Sequence, residues 1–118
     1  MIKALVIESN KLIHWSLKET LSDEGYKTDT IASAEKALSR IMKIPYSLIF
    51  FGLDMIGEDS LRILDQVNTI SPSTRLIVLT SREKHQIELL LSDLNVTSII
   101  EKPFRLDSIK AIARESSI

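Results

Sequence analysis

The hydrophobic and polar positions along the chain follow two alternating patterns. Five segments have the length of strands, and they lie at residues 2–7, 28–32, 47–51, 75–79 and 97–101. Four of them are rich in isoleucine, leucine, valine or phenylalanine, which is typical of parallel strands covered on both faces. The segments between them space apolar residues three and four positions apart, as amphipathic helices do.

Each predicted helix carries one apolar stripe. The five stripes are Ile13, Leu17 and Leu21; Ala34, Ala37, Leu38 and Ile41; Leu61, Leu64 and Val67; Ile87, Leu90, Leu91 and Leu94; and Leu106, Ile109 and Ile112. Five strand–helix units in series predict an α/β fold, with a parallel sheet, right-handed crossovers and helices on both faces. Gly25 and Asn95 lie where helices should end and can adopt positive φ, and Pro72 should close the third helical segment.

Composition narrows the class of protein. The 118 residues, 44% of them hydrophobic, suffice for one domain spanning residues 1–118. A net charge of -1 argues against direct binding to nucleic acid or an anionic membrane, and the lack of cysteine excludes disulfides and thiolate metal sites. The first apolar run reaches Glu8 too early for a secretory signal, and no run has membrane-spanning length. We therefore expect a soluble, cytoplasmic protein.

Polar residues follow several of the predicted strands. In open parallel sheets, ligands bind beyond the carboxyl ends of the strands. The residues at that edge are Glu8, Ser9 and Asn10; Gly52, Leu53 and Asp54; Thr80 and Ser81; and Lys102 and Pro103. An acid, a hydroxyl and a lysine brought together suit phosphoryl chemistry, because a carboxylate can hold Mg²⁺ while a lysine and a hydroxyl contact phosphoryl oxygens.

With its order along the chain, this set resembles the receiver domain of two-component response regulators over nearly the whole sequence. The matching segments are "ALVIESN", "LSDEGYKTDTIASAEKALSRI", "YSLIFFGLDMIGEDSLRIL", "RLIVLTS" and "IIEKPF". The resemblance implies a doubly wound, five-stranded parallel sheet of order 2-1-3-4-5, in a flavodoxin-like (CheY-like) three-layer sandwich. It also implies a cis peptide bond between Lys102 and Pro103.

The resemblance assigns roles to three residues and leaves three positions altered. Glu8 matches the first acid of the family's acidic pair, Thr80 the switch hydroxyl, and Lys102 the lysine that contacts the phosphoryl group. The altered positions are Ser9, where a second metal-binding acid is expected; Gly52, where the phosphorylated aspartate is expected; and Ile99, where an aromatic residue usually responds to the threonine.

The altered positions have direct chemical consequences. Glycine has no nucleophile, so an acyl phosphate cannot form at Gly52. Glu8 alone is a weak candidate ligand for Mg²⁺, which prefers several carboxylate oxygens, so we expect weak binding of Mg²⁺ and no other cofactor. Lys102 should turn towards Glu8, because an unpaired ammonium in a half-buried crevice is costly.

We therefore predict a non-enzymatic regulatory module of two-component signal transduction that works without conventional aspartate phosphorylation. Its output would come from a homodimer through the face of the fourth helix, fifth strand and fifth helix, or from an effector domain for which this chain is the N-terminal part. Such an effector could be a DNA-binding module in transcription regulation, or an ATPase. We expect Leu89 and Ile99 to lie outside the core on that face.

Two other functions are weighed against this one. Asp54 could serve as a displaced phosphoacceptor with Mg²⁺, although a loop acid near a helix N-terminus is more often a cap or a solvated charge. Thr80 and Ser81 could equally satisfy loop backbone groups without any signalling role. A flavodoxin-like cofactor site is disfavoured, because the loop "ESNKL" lacks a glycine-rich or hydroxyl-rich run for phosphate.

Trp15 is the only tryptophan, and it lies off the first helical stripe. We expect it to pack against a neighbouring helix, with an exposed partner contact as the alternative. His14 and His85 are the only histidines, too few and too far apart for a metal-ligand cluster, and we expect both to be exposed to solvent.

Overall fold

The computed structural model describes residues 2–54 and 59–116, and within them five strands alternate with five helices. The strands are β1 (Lys3–Ile7), β2 (Lys27–Ile31), β3 (Leu48–Gly52), β4 (Arg75–Thr80) and β5 (Ser98–Glu101). The helices are α1 (Lys11–Asp23), α2 (Ala34–Lys43), α3 (Ser60–Ile70), α4 (Lys84–Leu90) and α5 (Leu106–Ser116).

All strand pairs are parallel, and the order is β2-β1-β3-β4-β5. The fold class and strand order predicted from the sequence are therefore confirmed. Ile7 of β1 pairs with Phe51 of β3, Gly52 of β3 pairs with Leu79 of β4, and Thr80 of β4 pairs with Glu101 of β5. This register brings the residues that follow β1, β3 and β4 together at one edge of the sheet.

The core lies in two layers, one on each face of the sheet. Along β1, Leu5 and Ile7 belong to one layer while Ala4 and Val6 belong to the other, as the period of two in a strand requires. Every residue of β3 is buried. Burial on both faces fixes the central strands, so the polar residues at their ends have defined positions.

Two of the three expectations about helix ends are confirmed. Gly25 follows α1 with φ of 90°, and α3 ends at Ile70, before Pro72. The expectation for Asn95 was wrong, because within residues 2–54 and 59–116 no residue other than glycine has a positive φ. Asn95 is fixed instead by Asn68, whose side chain accepts from Asn95 N at 3.1 Å and donates to Asn95 O at 3.1 Å.

The structure corrects three expectations about exposure. Trp15 is 63% exposed rather than packed against a neighbouring helix, because it lies two residues from both Ile13 and Leu17 and so faces away from their stripe. Ile99 is only 9% exposed and belongs to the core, because its strand directs it inward beside Val78. His14 is half-buried.

Two other exposures agree with the sequence. Leu89 is 67% exposed, as expected for a residue outside the core, and His85 is exposed. In the described part of the chain, the helices are too short or too polar to cross a membrane.

Candidate functional site

Glu8 is a buried acid directly after β1. Its backbone N–H donates to Ile31 O at 3.0 Å, and its residue exposure is only 2%. One carboxylate oxygen forms an ion pair and hydrogen bond with Lys102 Nζ, and the other accepts from Asn10 N at 2.8 Å. The predicted pairing of Lys102 with Glu8 is confirmed, and it satisfies both oxygens of a carboxylate that would otherwise be costly to bury.

Gly52 lies beside this ion pair at the end of β3. A Cβ added at Gly52 would be 2.5 Å from Glu8 Oε1, 3.0 Å from Glu8 Cδ and 3.2 Å from Ile7 O. The first of these distances is far shorter than van der Waals contact. The Glu8 carboxylate therefore fills the space that any side chain at position 52 would need.

The loop between β1 and α1 is held by its own polar groups. Asn10 is the N-cap of α1, and its side-chain oxygen accepts from Leu12 N at 2.9 Å and Ile13 N at 3.1 Å. His14 Nε2 contacts Glu8 O and is the donor, since a carbonyl oxygen only accepts. The sequence analysis missed the capping role of Asn10, although an asparagine just before an amphipathic segment is a recognised helix-start signal.

Asp54 makes a second set of contacts, with the end of β4. Its Oδ2 accepts from Ser81 N at 2.5 Å and from Ser81 Oγ at 2.9 Å. Its Oδ1 accepts from Thr80 Oγ1 at 3.3 Å and lies 3.8 Å from Arg82 Nε. The side chain is 21% exposed. Asp54 thus ties the loop after β3 to the loop between β4 and α4.

Thr80 is fully buried, and it links the contacts of Asp54 to the end of the neighbouring strand β5. Its hydroxyl donates to Asp54 and accepts from Arg82 N at 3.0 Å, and its carbonyl accepts from Lys102 N at 2.7 Å. At the start of α4, Lys84 N donates to Glu101 Oε1 at 2.6 Å. Two carboxylates from other segments, Asp54 and Glu101, therefore hold the residues between β4 and α4.

Of the six residues predicted for the pocket, five fall into two clusters and one, Ser9, lies outside them. Glu8, Gly52 and Lys102 form one cluster, and Asp54 with Thr80 belongs to the other, while Ser9 is exposed. Leu89, Ile99 and Trp15 lie outside both clusters. The peptide bond between Lys102 and Pro103 is cis, as the resemblance implied.

The residues of this edge do not fit a magnesium ion. Mg²⁺ needs octahedral oxygen ligands and is usually held by carboxylates. The Glu8 carboxylate is engaged by Lys102 and Asn10, and Ser9 supplies no charge. Among the described residues, no group of three or more histidine, cysteine, aspartate or glutamate side chains is placed to hold a metal.

Comparison with known proteins places the chain in a defined family. The family model of the response regulator receiver domain matches residues 4–114. The chain is 29% identical to the transcriptional regulatory protein PmrA of Pectobacterium parmentieri over 113 residues, covering 96% of this chain and 51% of PmrA. It is 24% identical to the two-component response regulator PhoP of Pseudomonas aeruginosa, covering 93% of this chain and 49% of PhoP.

A solved structure agrees with this assignment at the level of the fold. A two-component response regulator from Clostridium difficile superimposes with a TM-score of 0.89 at 20% identity, covering 99% of this chain and 96% of that one. The chain belongs to the response regulator receiver family. It spans about half the length of PmrA and PhoP.

Proposed function

We propose that this receiver domain regulates a partner through protein contacts and does not accept a phosphoryl group at position 52. The observation that carries the proposal is the relationship between Gly52 and Glu8. Glycine offers no nucleophile, and the Glu8 carboxylate fills the adjoining space, 2.5 Å from where a Cβ would lie. The Glu8 carboxylate therefore occupies the space beside Lys102 that an acceptor side chain at position 52 would need.

The charges of the site support the same proposal. The ammonium of Lys102 is paired with Glu8, and the Lys102 side chain is only 19% exposed. A phosphoryl group would have to break this pair before Lys102 could stabilise it, leaving a buried carboxylate without its partner. Phosphoryl transfer depends on positive groups that stabilise the phosphoryl oxygens. Here the residues do not fit Mg²⁺, and the ammonium of Lys102 is already paired with Glu8.

The output is proposed to come from a protein interface. Leu90 of α4 is 49% exposed but lines the cleft beside Asp54. Leu89 is 67% exposed and offers apolar area, which we assign to the face formed by α4, β5 and α5. We propose that this face forms a homodimer or contacts an effector domain. PmrA, whose length the chain covers by about half, is a transcriptional regulatory protein, which supports a role for this domain as part of a longer regulator.

A second candidate function is phosphorylation of Asp54. One observation favours it: Asp54 is 21% exposed and lines a cleft of about 530 Å³ together with Ser81 and Arg82, so a small phosphodonor has a route to its carboxylate. Against it, both oxygens already accept hydrogen bonds from Thr80 and Ser81. These bonds stabilise the negative charge of the carboxylate and so make both oxygens weaker nucleophiles.

One experiment separates the two candidates. The wild-type protein is treated with acetyl phosphate and Mg²⁺, with an ordinary aspartate-bearing receiver treated in parallel, and intact mass and amide NMR spectra are recorded. The first proposal expects no phosphoryl adduct and no shifts at Glu8, Thr80 or Lys102. A base-labile adduct that disappears in Asp54→Asn would overturn it and establish Asp54 as the acceptor.

A further inference from the structure

We infer that Thr80, Ser81 and Arg82 form a binding cradle for a small oxyanion, and that the carboxylate of Asp54 is its built-in ligand. The occupied cradle holds the β4–α4 loop in one position. This inference deepens the proposed function, on which it rests, because it names what fixes the loop when no phosphoryl group is added.

The donors of the cradle come from three consecutive residues. They are one backbone N–H and one hydroxyl of Ser81, the hydroxyl of Thr80 and the guanidinium of Arg82, at 2.5, 2.9, 3.3 and 3.8 Å from the carboxylate oxygens. Hydrogen bonds to an ionised acceptor are the strong class. Three hydrogen-bond donors and one guanidinium at ion-pair distance therefore surround the carboxylate, an arrangement that favours an oxyanion over a neutral group.

The buried part of the cradle is set by the strand. Thr80 is fully buried as the last residue of β4, and its hydroxyl accepts from Arg82 N at 3.0 Å while donating to Asp54. The direction of that hydroxyl is therefore fixed by the loop backbone. Removal of the Asp54 carboxylate would leave a buried hydroxyl without its acceptor, which is unfavourable.

The start of α4 depends on such outside contacts. Glu83 is its N-cap residue and makes no side-chain capping hydrogen bond. The helix has seven residues, too few to be stable alone, and it is fastened to the core by Ile87 and Leu91. Asp54 holds the loop immediately before α4, and Glu101 accepts from Lys84 N.

The contacts of Asp54 also affect the exposed surface of α4. Because Asp54 holds the loop before α4, the exposed Leu89 is presented in one arrangement without any covalent modification. Asp54 is thus a positioning residue for the partner-binding face. Its carboxylate, rather than a transferred group, supplies the negative charge that orders the loop.

Chemical rescue tests the cradle directly. Amide hydrogen exchange of Ser81, Arg82 and the α4 residues is measured by NMR in wild type, Asp54→Ala and Asp65→Ala. Asp65 is an exposed acid of α3 and serves as the matched control. We expect exchange in Asp54→Ala to be about tenfold faster at these amides, given the usual strength of hydrogen bonds to charged groups, and unchanged in Asp65→Ala.

Added acetate then takes the place of the missing side chain. As the acetate concentration is raised, amide exchange in Asp54→Ala should slow towards the wild-type rate, and this effect should saturate. Sodium chloride at equal ionic strength should not slow the exchange. Wild-type exchange rates in Asp54→Ala would overturn the positioning role, and fast exchange that acetate does not slow would overturn the cradle. If Asp54→Ala does not fold, Asp54→Ser provides the same measurement, because its short polar side chain leaves room for acetate in the cradle.

The result is independent of the phosphodonor experiment. A phosphoryl adduct on wild-type Asp54 overturns the proposed function whatever the exchange rates are. Unchanged exchange in Asp54→Ala, with no adduct on the wild type, overturns the cradle alone.

Discussion

The carboxylate of Glu8 and the missing side chain of Gly52 compete for one volume, since a Cβ at position 52 would lie 2.5 Å from Glu8 Oε1. Glu8 can reach Lys102 in this way only because residue 52 has no side chain. We therefore expect the two positions to be energetically coupled, although Glu8 follows β1 and Gly52 ends β3.

The first prediction concerns this coupling. Gly52→Ala should destabilise the protein by about 1–3 kcal/mol, the usual cost of overpacking, because Glu8 Oε1 must move away from Lys102 or the strand must shift. The same change should cost at least about 1 kcal/mol less in a Glu8→Ala background, where the clash with the carboxylate is gone and only the 3.2 Å approach to Ile7 O remains. The free energy of unfolding is measured by urea denaturation in all four proteins of the double-mutant cycle.

Gly25→Ala is the matched control for that cycle. Gly25 has φ of 90° and nothing within 4 Å of an added Cβ, so its substitution is unfavourable for reasons of backbone conformation alone. Its effect should add to that of Glu8→Ala. Additive behaviour of Gly52→Ala with Glu8→Ala would contradict the shared volume.

The second prediction is that an aspartate at position 52 is not sufficient for phosphorylation. Gly52→Asp places its side chain against Glu8, and Mg²⁺ still lacks ligands because position 9 is a serine. The triple variant Glu8→Asp, Ser9→Asp, Gly52→Asp shortens the first acid and supplies the second. We expect acetyl phosphate with Mg²⁺ to add a phosphoryl group to the triple variant only, as detected by intact mass; labelling of Gly52→Asp alone would contradict this.

The third prediction concerns the buried ion pair. Glu8→Gln should lower the free energy of unfolding by about 2–3 kcal/mol, below the full range for a buried pair because the Lys102 side chain is 19% exposed. Lys102→Met should cost more, about 3–5 kcal/mol, because the Glu8 carboxylate that it leaves unpaired is only 2% exposed. The double variant should be more stable than the sum of the single effects predicts, since it leaves no unpaired charge; strict additivity in urea denaturation would argue against the pair.

The sequence predicted the sheet well, because its strands are continuous apolar runs separated by helical stripes. It also predicted the pairing of Lys102 with Glu8, because an unpaired lysine at that edge would be costly. It did not predict the contacts of Asp54 with Ser81, which depend on how two loops distant in the chain approach each other. Trp15 was misplaced because its apolar side chain favoured packing, although it lies on the face of α1 opposite the buried stripe. Ile99 was misplaced because it lies on the edge strand β5, where burial is harder to predict from the sequence.

The fourth prediction uses Trp15 as a reporter. Because the indole is 63% exposed in the folded protein, its fluorescence emission should resemble that of tryptophan in water and should be quenched efficiently by acrylamide. Trp15→Ala should change the free energy of unfolding by no more than about 0.5 kcal/mol, as for other surface substitutions. A blue-shifted emission that moves to longer wavelength on unfolding would instead indicate a buried indole.

The fifth prediction concerns stability at alkaline pH. The Tyr46 hydroxyl donates to Asp29 Oδ2 at 2.6 Å, and burial, together with the Asp29 carboxylate, raises the pKa of Tyr46 well above its ordinary value of 10.0. A raised pKa means that the folded state keeps the phenol proton while the unfolded state loses it. The contribution of Tyr46 to the free energy of unfolding is therefore complete below about pH 10, and it is lost as pH rises towards the pKa of Tyr46 in the folded state.

Tyr46→Phe removes this titration and isolates its effect. At neutral pH the variant should be less stable than wild type by about 1–2 kcal/mol, because a hydrogen bond to a carboxylate is lost. Between about pH 9 and pH 11, wild type should lose more stability than the variant, so the difference in unfolding free energy narrows. Urea denaturation at both pH values measures the free energy of unfolding of each protein, and the deprotonation of lysines affects both proteins alike. Equal losses of stability in wild type and Tyr46→Phe would show that Tyr46 titrates normally.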